Sequence, residues 1–134
     1  MKKDIDFGKV EGIAFAIIPE NEGTIEEEWN VYLVNLKKEF IEGIIIASSG
    51  YGYLDGRKVK TSTLRQFFDR LESNEFIKVE MIEKELFSLN NEFWISFWVN
   101  GNIFDKRYVF VNESIKSDYF TQIPLIGKRG VMIK

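Results

Sequence analysis

The stretch from Glu92 to Val111 constrains the fold more than any other part of the chain. In EFWISFWV, Phe93, Ile95, Phe97 and Val99 fall on one side of a two-residue period, and Trp94, Ser96 and Trp98 on the other. Successive Cβ atoms of a strand point to opposite faces, so this is a strand pattern. Asn100-Gly101 follows at once, and IFDKRYVFV comes back after it. Asn-Gly readily takes the two positive φ angles of a type I′ turn, whose twist matches that of the strands it joins. The expectation is an antiparallel hairpin of residues 92–99 with 102–111, with Gly101 at positive φ.

Four further segments carry the same period: Val10–Ile18, Trp29–Leu36, the β-branched run Gly43–Ser48, and Phe76–Ile82. In the last, Ile77, Val79 and Met81 form the apolar face against Lys78 and Glu80. PENEGTIEEE and SGYGYLDG read as loops, and IPLIGKRGVMIK adds one or two short strands. About seven short strands at roughly ten-residue spacing indicate an antiparallel β-sandwich of the immunoglobulin-like type. Residues 62–71 leave an alternative open. Leu64, Phe67, Phe68 and Leu71 stand at i, i+3, i+4 and i+7, with Ser62 or Thr63 as an N-cap, which is helical spacing; a strand there needs a bulge. The alternative fold is therefore α+β, with one helix on an antiparallel sheet.

A single globular domain over residues 1–134 is expected, since no linker, repeat or low-complexity tract interrupts the chain. Hydrophobic residues make up 45% and aromatic residues 15%, enough to build a core without a disulfide or a metal. No Cys is present, which fits a reducing cytoplasm. The two N-terminal lysines resemble the start of a signal peptide, but Asp4, Asp6, Lys9 and Glu11 break the apolar run that one needs. The apolar runs are also too short to span a bilayer, so the protein is expected in the cytoplasm with no membrane partner.

Chemistry is constrained by what is missing. There is neither His nor Cys, which removes thiolate catalysis, a Ser-His triad and structural zinc. The acids Glu20, Glu22, Glu26, Glu27 and Glu28 lack the spacing of a calcium loop, and the glycines of SSGYGYLDG match no phosphate-binding motif. No metal, cofactor or catalytic residue is assigned. Asp55, Asp69, Glu80, Glu92 and Asp105 remain as carboxylates whose separation a sequence does not give. Net charge is −3, which opposes bulk attraction to nucleic acid. Arg57, Lys58, Lys60, Arg65 and Arg70 nonetheless concentrate positive charge in one stretch. Within it, Lys60, Thr61, Ser62, Thr63 and Arg65 could hold an anion, aided by backbone amides if a helix starts there.

The pieces WNVYLVN, SSGYG with KTSTLR after it, LNNEFWISF and GNIFDKRYVF together resemble a small family of uncharacterised bacterial proteins, some of which carry the name phenylalanyl-tRNA synthetase alpha subunit. The resemblance covers most of the chain and implies a shared fold. The ATP-binding motifs of a class II synthetase core do not occur in these residues.

Trp94 and Trp98 decide the functional reading. They project from the same side of their strand, ~13–14 Å apart. An exposed indole forgoes roughly 2–3 kcal/mol of burial, so at least one is expected to be covered, by the core or by a second copy; an open pair would instead be a stacking platform. The first reading is a non-catalytic interaction module that pairs with itself or with another protein. The alternatives are an RNA or translation-associated binder using the basic patch, and a carboxylate enzyme acting on a sugar or phosphoester.

Overall fold

A computed structural model describes residues 9–134; the signal-peptide question concerns residues that lie mostly outside it. Among the described residues, ten strands form two antiparallel sheets packed face to face. In chain order they are β1 Ile13–Glu20, β2 Glu28–Asn35, β3 Ile41–Leu54, β4 Arg57–Lys60, β5 Leu64–Leu71, β6 Glu75–Ile82, β7 Asn90–Val99, β8 Asn102–Phe110, β9 Thr121–Gln122 and β10 Arg129–Ile133. Sheet 1 has the order β6-β2-β1-β10-β9. Sheet 2 has the order β4-β3-β7-β8, and β5 lies beside β4 along the same edge of β3. No helix of the described residues is long and apolar enough to cross a membrane.

The alternating residues of both sheets meet in one core. Ile13, Phe15 and Ile17 of β1 face Ile44 and Ile46 of β3 and Phe93, Ile95 and Phe97 of β7, all buried. Aromatic rings join the layers. Phe15 stacks on Phe93 at 5.1 Å between centroids and meets Tyr108 edge-on at 5.0 Å. The buried Tyr108 hydroxyl, on sheet 2, donates to the Ile13 carbonyl of sheet 1 at 2.6 Å. β1 is apolar on its other side too, and Ala16 and Ile18 are covered there with Tyr32 by Ile123 and Ile126 of the C-terminal segment.

The expected hairpin is present: Val99 pairs with Asn102, and Asn100 and Gly101 have φ of 50° and 79°. Two expectations need correction. SGYGYLDG is not a loop, because β3 runs through it and turns at Asp55-Gly56 (φ 52° and 74°) into β4. Residues 62–71 are not a helix, so the α+β alternative falls; Leu64–Leu71 is a strand paired along β3. The misleading spacing has a physical cause. β3 carries a bulge against β7, with Glu42 opposite Trp98 but Ile45 opposite Ser96, and Gly43 at φ 57° absorbs it. β5 follows β3 in step, so Phe68 and Leu71 both turn inward beside Ile44 and Ile41. Inward residues three apart are here the mark of a kinked strand.

The cross-sheet contacts give a stability test. Phe15→Ala is expected to cost about 3–5 kcal/mol. Tyr108→Phe, which leaves a buried carbonyl without its donor, is expected to cost about 1–2 kcal/mol. Urea unfolding of both variants measures this, and an unchanged midpoint in either would contradict the assigned contact.

Candidate functional site

The outward face of sheet 2 collects most of the residues singled out from the sequence. Cross-strand pairs share a face, so the register can be read as rows. At one end Tyr53 pairs with Lys58, and Tyr51 with Lys60. Next comes the row of Ser49, Glu92 and Val109, followed by Arg65, Ala47, Trp94 and Arg107. Then come Phe67, Ile45, Ser96 and Asp105, and last Arg70, Glu42, Trp98 and Ile103. Trp94, Trp98, Lys60 and Arg65 thus lie on one surface. Thr61, Ser62 and Thr63 do not join them as an anion cradle. They form the gap between β4 and β5, where three residues stand against Ser49 and Gly50 of β3. The Thr61 hydroxyl is used locally, accepting from the Gly50 amide at 2.8 Å and donating to the Ser62 carbonyl at 2.9 Å. With no helix there, the helix-end amides that an anion would need are absent as well.

Among the described residues neither tryptophan is buried in the core, which removes one of the two expected covers and leaves the second copy: Trp94 is 45% exposed and Trp98 40%. Phe67, Ile45 and Ile103 are exposed beside them, Phe67 to 69%. Scattered apolar residues are normal on a surface, but a run of five on one sheet face is a patch. Gly43 helps to shape it. A Cβ there would lie 3.0 Å from the Trp98 Cδ1, so the bulge glycine is what lets the indole lie down on β3.

The face is electrically polarised. Arg107 is tied to Glu92 at 2.6 Å and to the Tyr51 hydroxyl at 3.0 Å, and Arg70 to Glu72. Among the described residues, Lys58, Lys60 and Arg65 at one end and Glu42 and Asp105 at the other have no ion-pair partner. One end is therefore basic and aromatic, the other acidic and apolar.

A second feature lies between the sheets, where the sequence pattern misled. β6 carries a bulge: Val31 pairs with Glu80 but Tyr32 with Lys78. The extra residue reverses the alternation expected for Phe76–Ile82. Glu80 and Ile82 point inward, and Met81, expected on the apolar side, is exposed. Glu80 reaches across to β3, where the Ser48 hydroxyl donates to it at 2.9 Å. Burial pushes the Glu80 carboxyl above its ordinary value, and the Ser48 hydrogen bond offsets only part of that. Nothing in the residue pattern alone signals this, because a strand bulge without a glycine leaves no local mark.

The acidic loop is dispersed rather than convergent. Burial would raise Glu20, but Lys128 at 2.6 Å, the Tyr32 hydroxyl and the Asn30 amide outweigh it and hold the carboxyl at about 2. Glu27 is taken up by the Gly23 amide, by Lys84 and by the Trp29 indole N–H.

No protein-family model matches this chain, and no curated protein matches it either.

A group whose folded pKa is raised favours the fold below its unfolded value, and that contribution is lost as pH rises through the folded pKa. Glu80→Gln keeps an acceptor for Ser48 and removes the charge. The variant is therefore expected to melt higher than the parent at about pH 8, with the difference vanishing below the ordinary carboxyl value of 4.5. Paired thermal melts across pH check this; a lower melting point at alkaline pH would show that Glu80 is stabilised as the anion.

Proposed function

We propose that the protein is a non-catalytic interaction module of the cytoplasm that docks through the outward face of sheet 2, and that the occupant of this face is a second copy of the chain. The observation that carries the reading is the polarised patch. A two-fold contact lays a surface on itself, and with the axis running across the strands the rows of one end meet the rows of the other. With the axis at the Trp94 row, the Tyr51–Lys60 row of one copy comes over the Glu42–Trp98 row of the other, with Lys60 one strand from Glu42, and the Trp94 row lies on its own counterpart. Buried aromatic centres with a charged rim are the usual anatomy of such contacts.

The size is adequate. Four strands at ~4.8 Å and about ten residues at ~3.4 Å give a footprint on the order of 600 Å². Side-chain relief raises the accessible area towards the ~800 Å² per partner typical of a stable interface. The same face offers Tyr51 and Tyr53 beside Lys60 and Lys58, a basic and aromatic arrangement that would also suit single-stranded RNA. The mixture of signs favours the dimer, because Glu42 and Asp105 would repel a phosphate backbone. Membership in the uncharacterised bacterial family is part of this proposal and is compatible with a module that has no chemistry of its own.

Sedimentation velocity over a range of concentrations is expected to show a monomer–dimer equilibrium. Trp98→Ala should weaken it by about 2 kcal/mol, roughly thirtyfold in Kd, with an unchanged circular dichroism spectrum. Lys60→Glu should weaken it too, and adding Glu42→Lys should restore it. A protein that stays monomeric would overturn the reading, and salt-dependent RNA binding by that monomer would put the nucleic-acid alternative in its place.

A further inference from the structure

Between the sheets, on the opposite side of sheet 2 from the docking face, a cleft opens where β6 faces the interrupted edge formed by β4 and β5. Its volume is about 220 Å³. Its polar wall consists of the carboxylates Glu80 and Glu83, the amide of Asn91 and the hydroxyls of Ser48, Ser49, Thr61 and Ser62, and its apolar wall includes Ile82, Leu86 and Phe93. No Lys or Arg lines it. Sites for drug-sized molecules run to roughly 300–1,000 Å³. This one holds the equivalent of about seven waters at ~30 Å³ each, enough for a few heavy atoms and no more.

The polar wall holds two carboxylates and no cation, and its side-chain hydroxyls accept as well as donate. Glu80 is half-buried, and the neutral Ser48 hydroxyl is its hydrogen-bond donor; no cation pairs with it among the described residues. Asn91 is buried and fixed, since both of its amide hydrogens are committed, to the Leu86 carbonyl at 2.9 Å and the Leu89 carbonyl at 3.2 Å. That orientation leaves Oδ1 as an acceptor beside Gly50, and no donor among the described residues serves it. Glu83 adds a second carboxylate to the same cleft.

We infer that this cleft is a binding site for a primary ammonium group carried on a short apolar stem, with Glu80 as its counter-ion. An ammonium has three donors and no acceptor, which complements Glu80 and Asn91 Oδ1. The stem lies along Ile82, Leu86 and Phe93. A hard metal ion fits less well, because it asks for six or more oxygens and no three carboxylates converge among the described residues. An anion would meet two carboxylates and no cation. The bulge that turns Glu80 inward thus builds a half-buried charge with no cationic partner into the cleft, at a cost to the free protein that a cationic ligand removes.

The ammonium can come from a free amine or from a lysine side chain of a peptide, and two probes separate these sources. Amide chemical shifts of the full chain are followed on adding n-butylammonium, and separately the amide-blocked lysine Nα-acetyl-lysine methylamide. n-Butanol and butyrate serve as controls of equal stem length. Saturable shifts at Gly50, Thr61 and Met81 with either ammonium support the site, and the ratio of the two affinities identifies the source. Glu80→Gln should weaken binding at least tenfold, and Glu83→Gln severalfold, with the remaining spectrum unchanged as proof of fold. Equal binding of n-butanol, binding undiminished in both variants, or no shifts with either ammonium would overturn the assignment. None of these results bears on the dimer, which is read by sedimentation.

Discussion

The contact between Phe15, Phe93 and Tyr108 is the one on which the rest of the molecule leans. Two sheets that twist independently are held in one orientation by a stacked pair, an edge-on pair and a single hydroxyl reaching from sheet 2 to the Ile13 carbonyl of sheet 1. Burial of the rings supplies cohesion without direction. The hydrogen bond supplies direction, because it is satisfied only when β8 passes over the start of β1. The outward face of sheet 2 and the cleft near Glu80 both inherit their geometry from that orientation.

Two bulges then turn a plain sandwich into one with particular surfaces. At Gly43 the extra residue kinks β3, brings Trp98 down onto the backbone, and carries β5 round so that Phe68 and Leu71 both face inward. At Val79 the extra residue exchanges the faces of β6 and places Glu80 between the sheets. A one-residue slip sends every following side chain to the opposite side. Each bulge therefore acts over the remaining length of its strand, which is how a change in one residue's pairing comes to define a patch or a pocket.

What could be read from the residues follows the same division. Strands with uninterrupted alternation, such as Glu92–Val99, were legible together with their inward and outward sides, and the Asn100-Gly101 turn declared itself. Asp55-Gly56 has the same chemistry as Asn100-Gly101, but the glycines around Tyr51 and Tyr53 disguised the flanking alternation. The helical spacing of Leu64, Phe67, Phe68 and Leu71 was real, though it arose from a kink inherited from β3. That cause lies on another strand and cannot be found within the segment. Trp94 and Trp98 were placed on the correct side, yet whether a layer covers that side depends on sheet order, a long-range fact. Glu80 could not be told from Asp55 or Asp105, because its position depends on a bulge with no glycine to mark it.

The bulge in β6 has one more consequence. β6 is the outermost strand of sheet 1 and would otherwise offer a regular row of backbone donors and acceptors to any extended chain nearby. Such rows are the templates on which proteins polymerise, and broken pairing and inward-pointing charges are among the devices that disarm them. β6 carries both within two residues, Val79 and Glu80. A foreign strand added there would lose its register at the bulge and would shut a carboxylate further away from water. The feature that hollows out the cleft also guards the free margin of the sheet against fibre growth.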